Sequence, residues 1–173
     1  MKKKYTVLAV SGVITVAIMA VMNIKLIPAI EAGTQGMRFF DMNAFGYTYE
    51  AAKAFIASLS GEGKNLALSV QLPLDFVYPV AYTVFFTVLM TILEGKKTKW
   101  AIIPAFLFIS DYTENICTVM MLKADSLSGS VCRFASAVTI VKSMLMYLTF
   151  LIIVVMIIRA VIRKKQRQKK TDA

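Results

Sequence analysis

The stretch FASAVTIVKSMLMYLTFLIIVVMII, residues 134–158, decides how the rest of the chain is read. It exceeds the roughly 20 apolar residues that carry a helix across a hydrocarbon layer, and Lys142 is its one charge. It ends against seven lysines and arginines between Arg159 and Lys170, the pattern expected where a span meets the cytoplasm. Working outward, residues 5–24, 66–93 and 100–122 also meet or approach spanning length. None alternates with the period of a β-barrel strand, and Pro79 and Pro104 are tolerated where neighbouring helices satisfy freed backbone groups. These spans predict an all-α integral membrane four-helix bundle, a single domain over residues 1–173 without internal repeats.

Composition agrees with that expectation. The 173 residues are 58% hydrophobic and 17% charged, far enough from an ordinary soluble domain to exclude a soluble enzyme or a disordered tail. The chain has no histidine, which removes imidazole acid/base chemistry, histidine-dependent triads and histidine metal ligands. Two cysteines, Cys117 and Cys132, are too few for a thiolate metal site or a cluster, although a disulfide between them is conceivable. No cofactor and no metal is expected.

Positive residues set the orientation. Lys2, Lys3 and Lys4, then Lys96, Lys97 and Lys99, then the seven of the tail make thirteen on one side. Lys25, Arg38, Lys53, Lys64, Lys123 and Arg133 make six on the other. Both termini are therefore expected in the cytoplasm, with the chain in the inner or plasma membrane. The net charge of +10 reads as a topology signal and an attraction to anionic membrane lipids. Nucleic acid is not an expected partner, because the basic tail, residues 159–173, has no interleaved aromatics. Three lysines before an apolar run also describe a signal peptide, but the run is longer than a signal core and no small-residue cleavage site follows, so an anchor is expected. Residues 25–65 form the outer loop, within which Thr48 is placed to cap a short amphipathic helix that Gly61 would end. Ala52, Phe55, Ile56 and Leu59 share its apolar face, for packing on the span ends or for a lid over them.

Ionisable groups inside a membrane cost at least about 2.5–3.5 kcal/mol each on insertion scales and mark function by default. Four lie within these spans: Asp75, Asp111, Glu114 and Lys142. Helical spacing aligns Asp75, Tyr78, Pro79 and Tyr82 on one face, Asp111, Glu114, Asn115 and Thr118 on a second, and Thr139, Lys142, Ser143 and Met146 on a third. At the rise of an α-helix the charged groups fall at matching depth in the outer half, which predicts one shared polar site. Three carboxylates facing one amine cannot all stay ionised in a low dielectric, so proton or cation handling is indicated. The opposing readings are helix glue for the ion pair and a wet helix start at Pro73 for Asp75.

The strings Leu74-Asp75-Phe76-Val77-Tyr78-Pro79-Val80-Ala81-Tyr82 and Asp111-Tyr112-Thr113-Glu114-Asn115 carry a resemblance. With Lys142 and the loop string Phe45-Gly46-Tyr47-Thr48, they resemble a group of small, uncharacterised four-span bacterial membrane proteins with LDxxxPxxY and DxxEN motifs. The resemblance implies the four-span topology and the importance of Asp75, Pro79, Tyr82, Asp111, Glu114, Asn115 and Lys142. It supplies no reaction.

The expected function is a binding or transport bundle for a small ligand, lipid headgroup, cation or proton, with ligand-binding residues Asp75, Tyr78, Tyr82, Asp111, Glu114, Asn115 and Lys142. Two alternatives use the same residues. One is an intramembrane lipid-modifying enzyme working with paired carboxylates. The other is a structural or regulatory subunit that binds a membrane protein partner or a second copy of itself. No nucleotide loop or nucleophile elbow favours the enzyme.

Overall fold

Prolines at positions 28, 73 and 79 lie within the chain's helices without ending them. A proline within a helix has no N–H for the carbonyl four residues back and crowds that carbonyl with its ring. In the structure, a computed structural model describing residues 2–95 and 98–171, two of these defects are absorbed in the same way. A wide π-helical turn, Met22–Leu26, precedes Pro28, and another, Ala67–Gln71, precedes Pro73. Each closes with a long backbone bond, Ile27 N–H to the Met22 carbonyl and Leu72 N–H to the Ala67 carbonyl. The two wide turns touch each other.

Five helices follow in order: α1 (Lys2–Glu31), α2 (Tyr49–Ser58), α3 (Gly61–Glu94), α4 (Ile102–Lys123) and α5 (Gly129–Thr171). No strand occurs among the described residues. Three helices, α1, α3 and α5, are long and apolar enough to cross a membrane. The helix α4 has 22 residues, but Asp111, Glu114 and Asn115 raise its polarity. The helices α3, α4 and α5 pack on one another, and α1 packs chiefly along α3. Lys96 and Lys97 of the positive-residue count, and Met1, Asp172 and Ala173 at the ends, lie outside the described residues, as do the side chains of Arg167, Lys169 and Lys170.

Several boundaries differ from expectation. The helix of the first predicted span runs to Glu31 instead of residue 24, because the wide turn carries it past Pro28. Thr48 does cap α2, its hydroxyl accepting from Ala51 N–H at 3.1 Å, but Gly61 does not end that helix. The helix stops at Ser58, and Gly61 opens α3 behind Ser60, whose hydroxyl accepts from Gly63 N–H at 2.9 Å. Ser-Gly is as good a helix start as a glycine is a stop, and here the start wins. Pro73 falls at the start of the α-helical stretch Leu72–Glu94, yet the wide turn through Gln71 and the α-helical turns from Gly61 precede it unbroken, so Asp75 does not lie at a free, wet helix end. Asp75 is instead buried at 4% exposure.

Two apolar cores lie along the helices, separated by the polar residues. Near the loop, Ile30, Phe39, Phe40, Phe55, Leu72, Met121, Leu122 and Ala135 form one core; towards the tail, Tyr82, Phe86, Met90, Leu107, Ile153 and Met156 form the other. On each of α3, α4 and α5, the ionisable positions fall between residues of the two cores. The loop belongs to the first core instead of covering it loosely: Phe40 and Phe55 pack edge to face with ring centroids 5.1 Å apart, and each buried aromatic contributes about 1.5–3 kcal/mol. Gly46, at φ +81°, fixes the loop to α5, since a Cβ there would lie 2.6 Å from Ser136 Oγ. The next residue, Tyr47, donates its N–H to the same hydroxyl at 2.8 Å.

Pro79 leaves its own mark. Its missing N–H frees the carbonyl of Asp75, four residues back, and Asn115 Nδ2 donates to that oxygen at 2.8 Å across the α3–α4 interface. The next carbonyl, Phe76, accepts from Tyr112 Oη at 2.8 Å. Pro79→Ala restores a backbone donor for Asp75, so Asn115→Ala is expected to cost about 1–2 kcal/mol less in that background than in the native one. A thermal double-mutant cycle in detergent measures this coupling, and strict additivity would refute it.

Candidate functional site

The polar residues of α3, α4 and α5 meet between the two cores, as their spacing predicts. Lys142 Nζ from α5 lies 3.8 Å from Asp111 Oδ1 and pairs more closely with Glu114 Oε2, both on α4. Tyr82 on α3 donates its hydroxyl to the other oxygen of Asp111, Oδ2, at 2.8 Å. Thr139, one turn before Lys142, bonds Glu114 Oε1 and lies 3.1 Å from its own helix's Ala135 carbonyl. Asp111, Glu114 and Thr139 are buried at 3%, 0% and 0% exposure, so bulk water does not solvate these charges. The faces turned away are apolar: Val80, Val84, Ile109, Ile116 and Met120 are exposed.

Not every predicted residue holds a free functional group. Asn115 is buried and its amide N–H is engaged by the Asp75 carbonyl, so it repairs backbone. Tyr78 packs its ring edge-on against Tyr82 at 5.1 Å and is half-buried. The Asp75 carboxylate is on the buried face of α3 beside these groups and makes no hydrogen bond or ion pair to another side chain. Cys117 and Cys132 are both buried and both free thiols.

The structure adds residues that spacing did not single out. Asp41, in the short 3₁₀ turn Phe40–Met42 of the loop, is half-buried with Oδ1 enclosed and without a hydrogen bond. It lies within electrostatic reach of Lys142, Glu114, Asp111, Asp75 and Glu31. Tyr47 from the same loop lies within electrostatic reach of Glu114, its hydroxyl enclosed and without a hydrogen bond, and burial pushes its phenol up. Gln71, on α3 one turn before Asp75, is at 0% exposure with both amide atoms unpaired. A polar residue flanked by apolar ones in a span was the available signal for Gln71. For Asp41 there was none, because loop residues have no periodicity to place them, and the string Phe45-Gly46-Tyr47-Thr48 marked Tyr47 without placing it.

Four carboxylates, Asp41, Asp75, Asp111 and Glu114, thus share one layer with a single amine. Among the described residues, no three His, Cys, Asp or Glu side chains are grouped closely enough to hold a metal ion. The layer holds hydrogen-bond acceptors in excess of donors, an arrangement suited to binding protons or small donor-rich cations. No protein-family description, no curated protein and no solved structure matches the chain.

Asp41 has a measurable consequence. Burial, opposed by Lys142 and reinforced by Glu114, Asp111 and Glu31, pushes its carboxyl up from 3.8 to about 6. A carboxyl that holds its proton more tightly when folded favours the native state at low pH, and that advantage is lost as pH rises through about 6. Asp41→Asn is therefore expected to match wild type in thermal midpoint below pH 4 and to exceed it by a few degrees above pH 7. A gap that widened in the opposite sense would mean that Lys142 holds Asp41 ionised.

Proposed function

We propose that the chain is a multi-pass membrane protein whose α1, α3, α4 and α5 all span as a four-helix bundle, and that its buried carboxylate layer binds protons or a small cation reversibly to serve ligand binding or transport. Four acids converging on the one ammonium of Lys142 carry this reading. Fully ionised, the layer would hold three negative charges in excess, and charges of one sign at close range in low dielectric do not all persist. Protons, or a cation, make up the balance. Including α4 among the spans is supported by its burial of Asp111 and Glu114 while it turns Ile109, Ile116 and Met120 outward. The likeness to four-span bacterial proteins rests on the motif residues that interlock here, Asp75, Pro79, Tyr82, Asp111, Glu114, Asn115 and Lys142.

A second reading, helix glue within a larger membrane assembly, is favoured by the Asn115 to Asp75 backbone bond alone. It does not explain the surplus of acids.

Stability in detergent separates the two. Lys142→Met leaves buried negative charge without its partner and is expected to cost about 3–5 kcal/mol at pH 7, with much of the loss recovered near pH 5 as the acids take up protons. One of Asp111→Asn and Glu114→Gln, whichever replaces the protonated acid, is expected to stay within about 1 kcal/mol of wild type. If both amide variants fell as far as Lys142→Met, both acids would be ionised and the proton reading would lose its support.

The orientation proposed is both termini in the cytoplasm of the inner or plasma membrane, from thirteen positive residues against six. The structure's pairing of Arg163 Nη2 with the Leu93 carbonyl at 3.5 Å gathers the tail and the end of α3 on one side. In a Cys117→Ser, Cys132→Ser background, Gln168→Cys is expected to resist an impermeant thiol reagent in intact cells and to react after lysis. Labelling in intact cells would reverse the orientation.

A further inference from the structure

The polar layer divides into two halves of different character. In the first, every charge has a partner: Lys142 with Asp111 and Glu114, Tyr82 with Asp111, and Thr139 with Glu114. In the second, towards the loop, the groups make no bonds to other side chains. Asp75 has no side-chain partner, Asp41 Oδ1 is enclosed and unpaired, and Gln71 is wholly buried with its amide oxygen and nitrogen both unpaired. Gln71 and Asp75 are one helical turn apart on the same buried face of α3.

Each feature is costly alone. A buried amide without partners loses the hydrogen bonds it had in water, and a second acid beside the first adds repulsion. The neighbouring turn adds one acceptor, since Pro73 has no N–H to give a carbonyl of the wide Ala67–Gln71 turn. Non-helical backbone at membrane depth is tolerated where it lines a polar site, and wide turns recur at functional positions.

Resting on the proton or cation reading above, we infer that Asp75, Gln71 and Asp41 form a binding site for one small monovalent cation beneath the loop. The amide oxygen of Gln71 and the carboxylates of Asp75 and Asp41 are its ligands, and Lys142 with Asp111 and Glu114 forms the wall beyond. A monovalent ion matches the group because a single ionised carboxylate balances it. No cluster of three acidic or thiol side chains among the described residues favours a multivalent metal. Alkali metal ions and small protonated amines share this chemistry, a single positive charge held by oxygens. Binding favours the ionised forms of Asp41 and Asp75. The groups facing Asp41 are Lys142 from α5, Glu114 and Asp111 from α4, Asp75 from α3 and Glu31 from α1.

The test uses the full chain purified in detergent at pH 7, titrated with sodium, potassium or methylammonium chloride. N-methylglucamine chloride, too large for the site, keeps ionic strength constant. A saturable rise in thermal midpoint with at least one small cation, accompanied by proton release, is expected. A response to the alkali ions alone assigns a metal ion, and one to methylammonium alone assigns an amine. Gln71→Leu is expected to raise the half-saturating concentration at least tenfold while matching or exceeding the wild-type midpoint in the control salt, since it removes an unpaired amide. Asp75→Asn is expected to abolish both the midpoint shift and the proton release. Absence of a saturable response to all three cations overturns the inference, as does a wild-type response in Gln71→Leu. Either result leaves the proton reading standing if Lys142→Met still recovers at acid pH, and loss of that recovery as well would bring down the reading beneath.

Discussion

The ammonium of Lys142 is the constraint around which the helices are arranged. Taking a lysine out of water costs several kcal/mol even after relaxation, and a carboxylate at 3.8 Å returns about 4 kcal/mol at an effective dielectric near 20. One partner therefore does little better than break even, and the structure supplies two on the same helix, Asp111 and Glu114. Their spacing of three residues puts both on the face of α4 that meets α5. Tyr82 then holds Asp111 from α3 and Thr139 holds Glu114 from α5, so the pairing ties three helices at one level. The apolar cores lie above and below this level, so the charged groups of α3, α4 and α5 are held between them.

Proline defects are handled by the same economy of backbone groups. Inside a membrane an unpaired carbonyl has no water to turn to, so each break needs a local remedy. Pro28 and Pro73 are accommodated by widening the preceding turn, whereas the carbonyl that Pro79 frees is bonded by a side chain of another helix, Asn115. The second remedy couples α3 to α4 and gives the spacing Asp75-xxx-Pro79 a structural meaning independent of the Asp75 carboxylate. Asn115 earns its place in the DxxEN string by its reach to backbone, while Asp111 and Glu114 of the same string reach Lys142.

Periodicity made the helices and the central ion pairs legible. Lys142, Asp111, Glu114 and Tyr82 were each placed on the right face because helical geometry alone decides it. Boundaries were less legible where a residue serves two ends equally well: Gly61 reads as a stop but opens α3, and Pro73 reads as a start but follows an unbroken turn. The wide turns themselves leave no trace in hydropathy. Asp41, Tyr47 and Gln71 escaped for a related reason. The loop's position is set by Phe39, Phe40 and Phe55 packing on α4 and α5, a tertiary fit that local spacing does not encode, and Gln71 lay inside a span as one uncharged polar residue among many.

The loop's packing determines how the layer communicates with its surroundings. Phe39, Phe40 and Phe55 close the loop end with apolar surface, and Gly46 admits the chain close enough to α5 for Ser136 to receive the Tyr47 N–H. Between those anchors, the chain turns Asp41 and Tyr47 towards the acids of the layer. A loop held only by apolar contacts would present backbone or hydrocarbon there and leave the acids isolated. This one brings a titratable group whose charged neighbours are Glu31 of α1 and the layer's own charges, so its protonation is tied to theirs. Asp41 therefore belongs electrically to the helices while belonging covalently to the loop, and a change of charge in the layer acts directly on the segment that covers it.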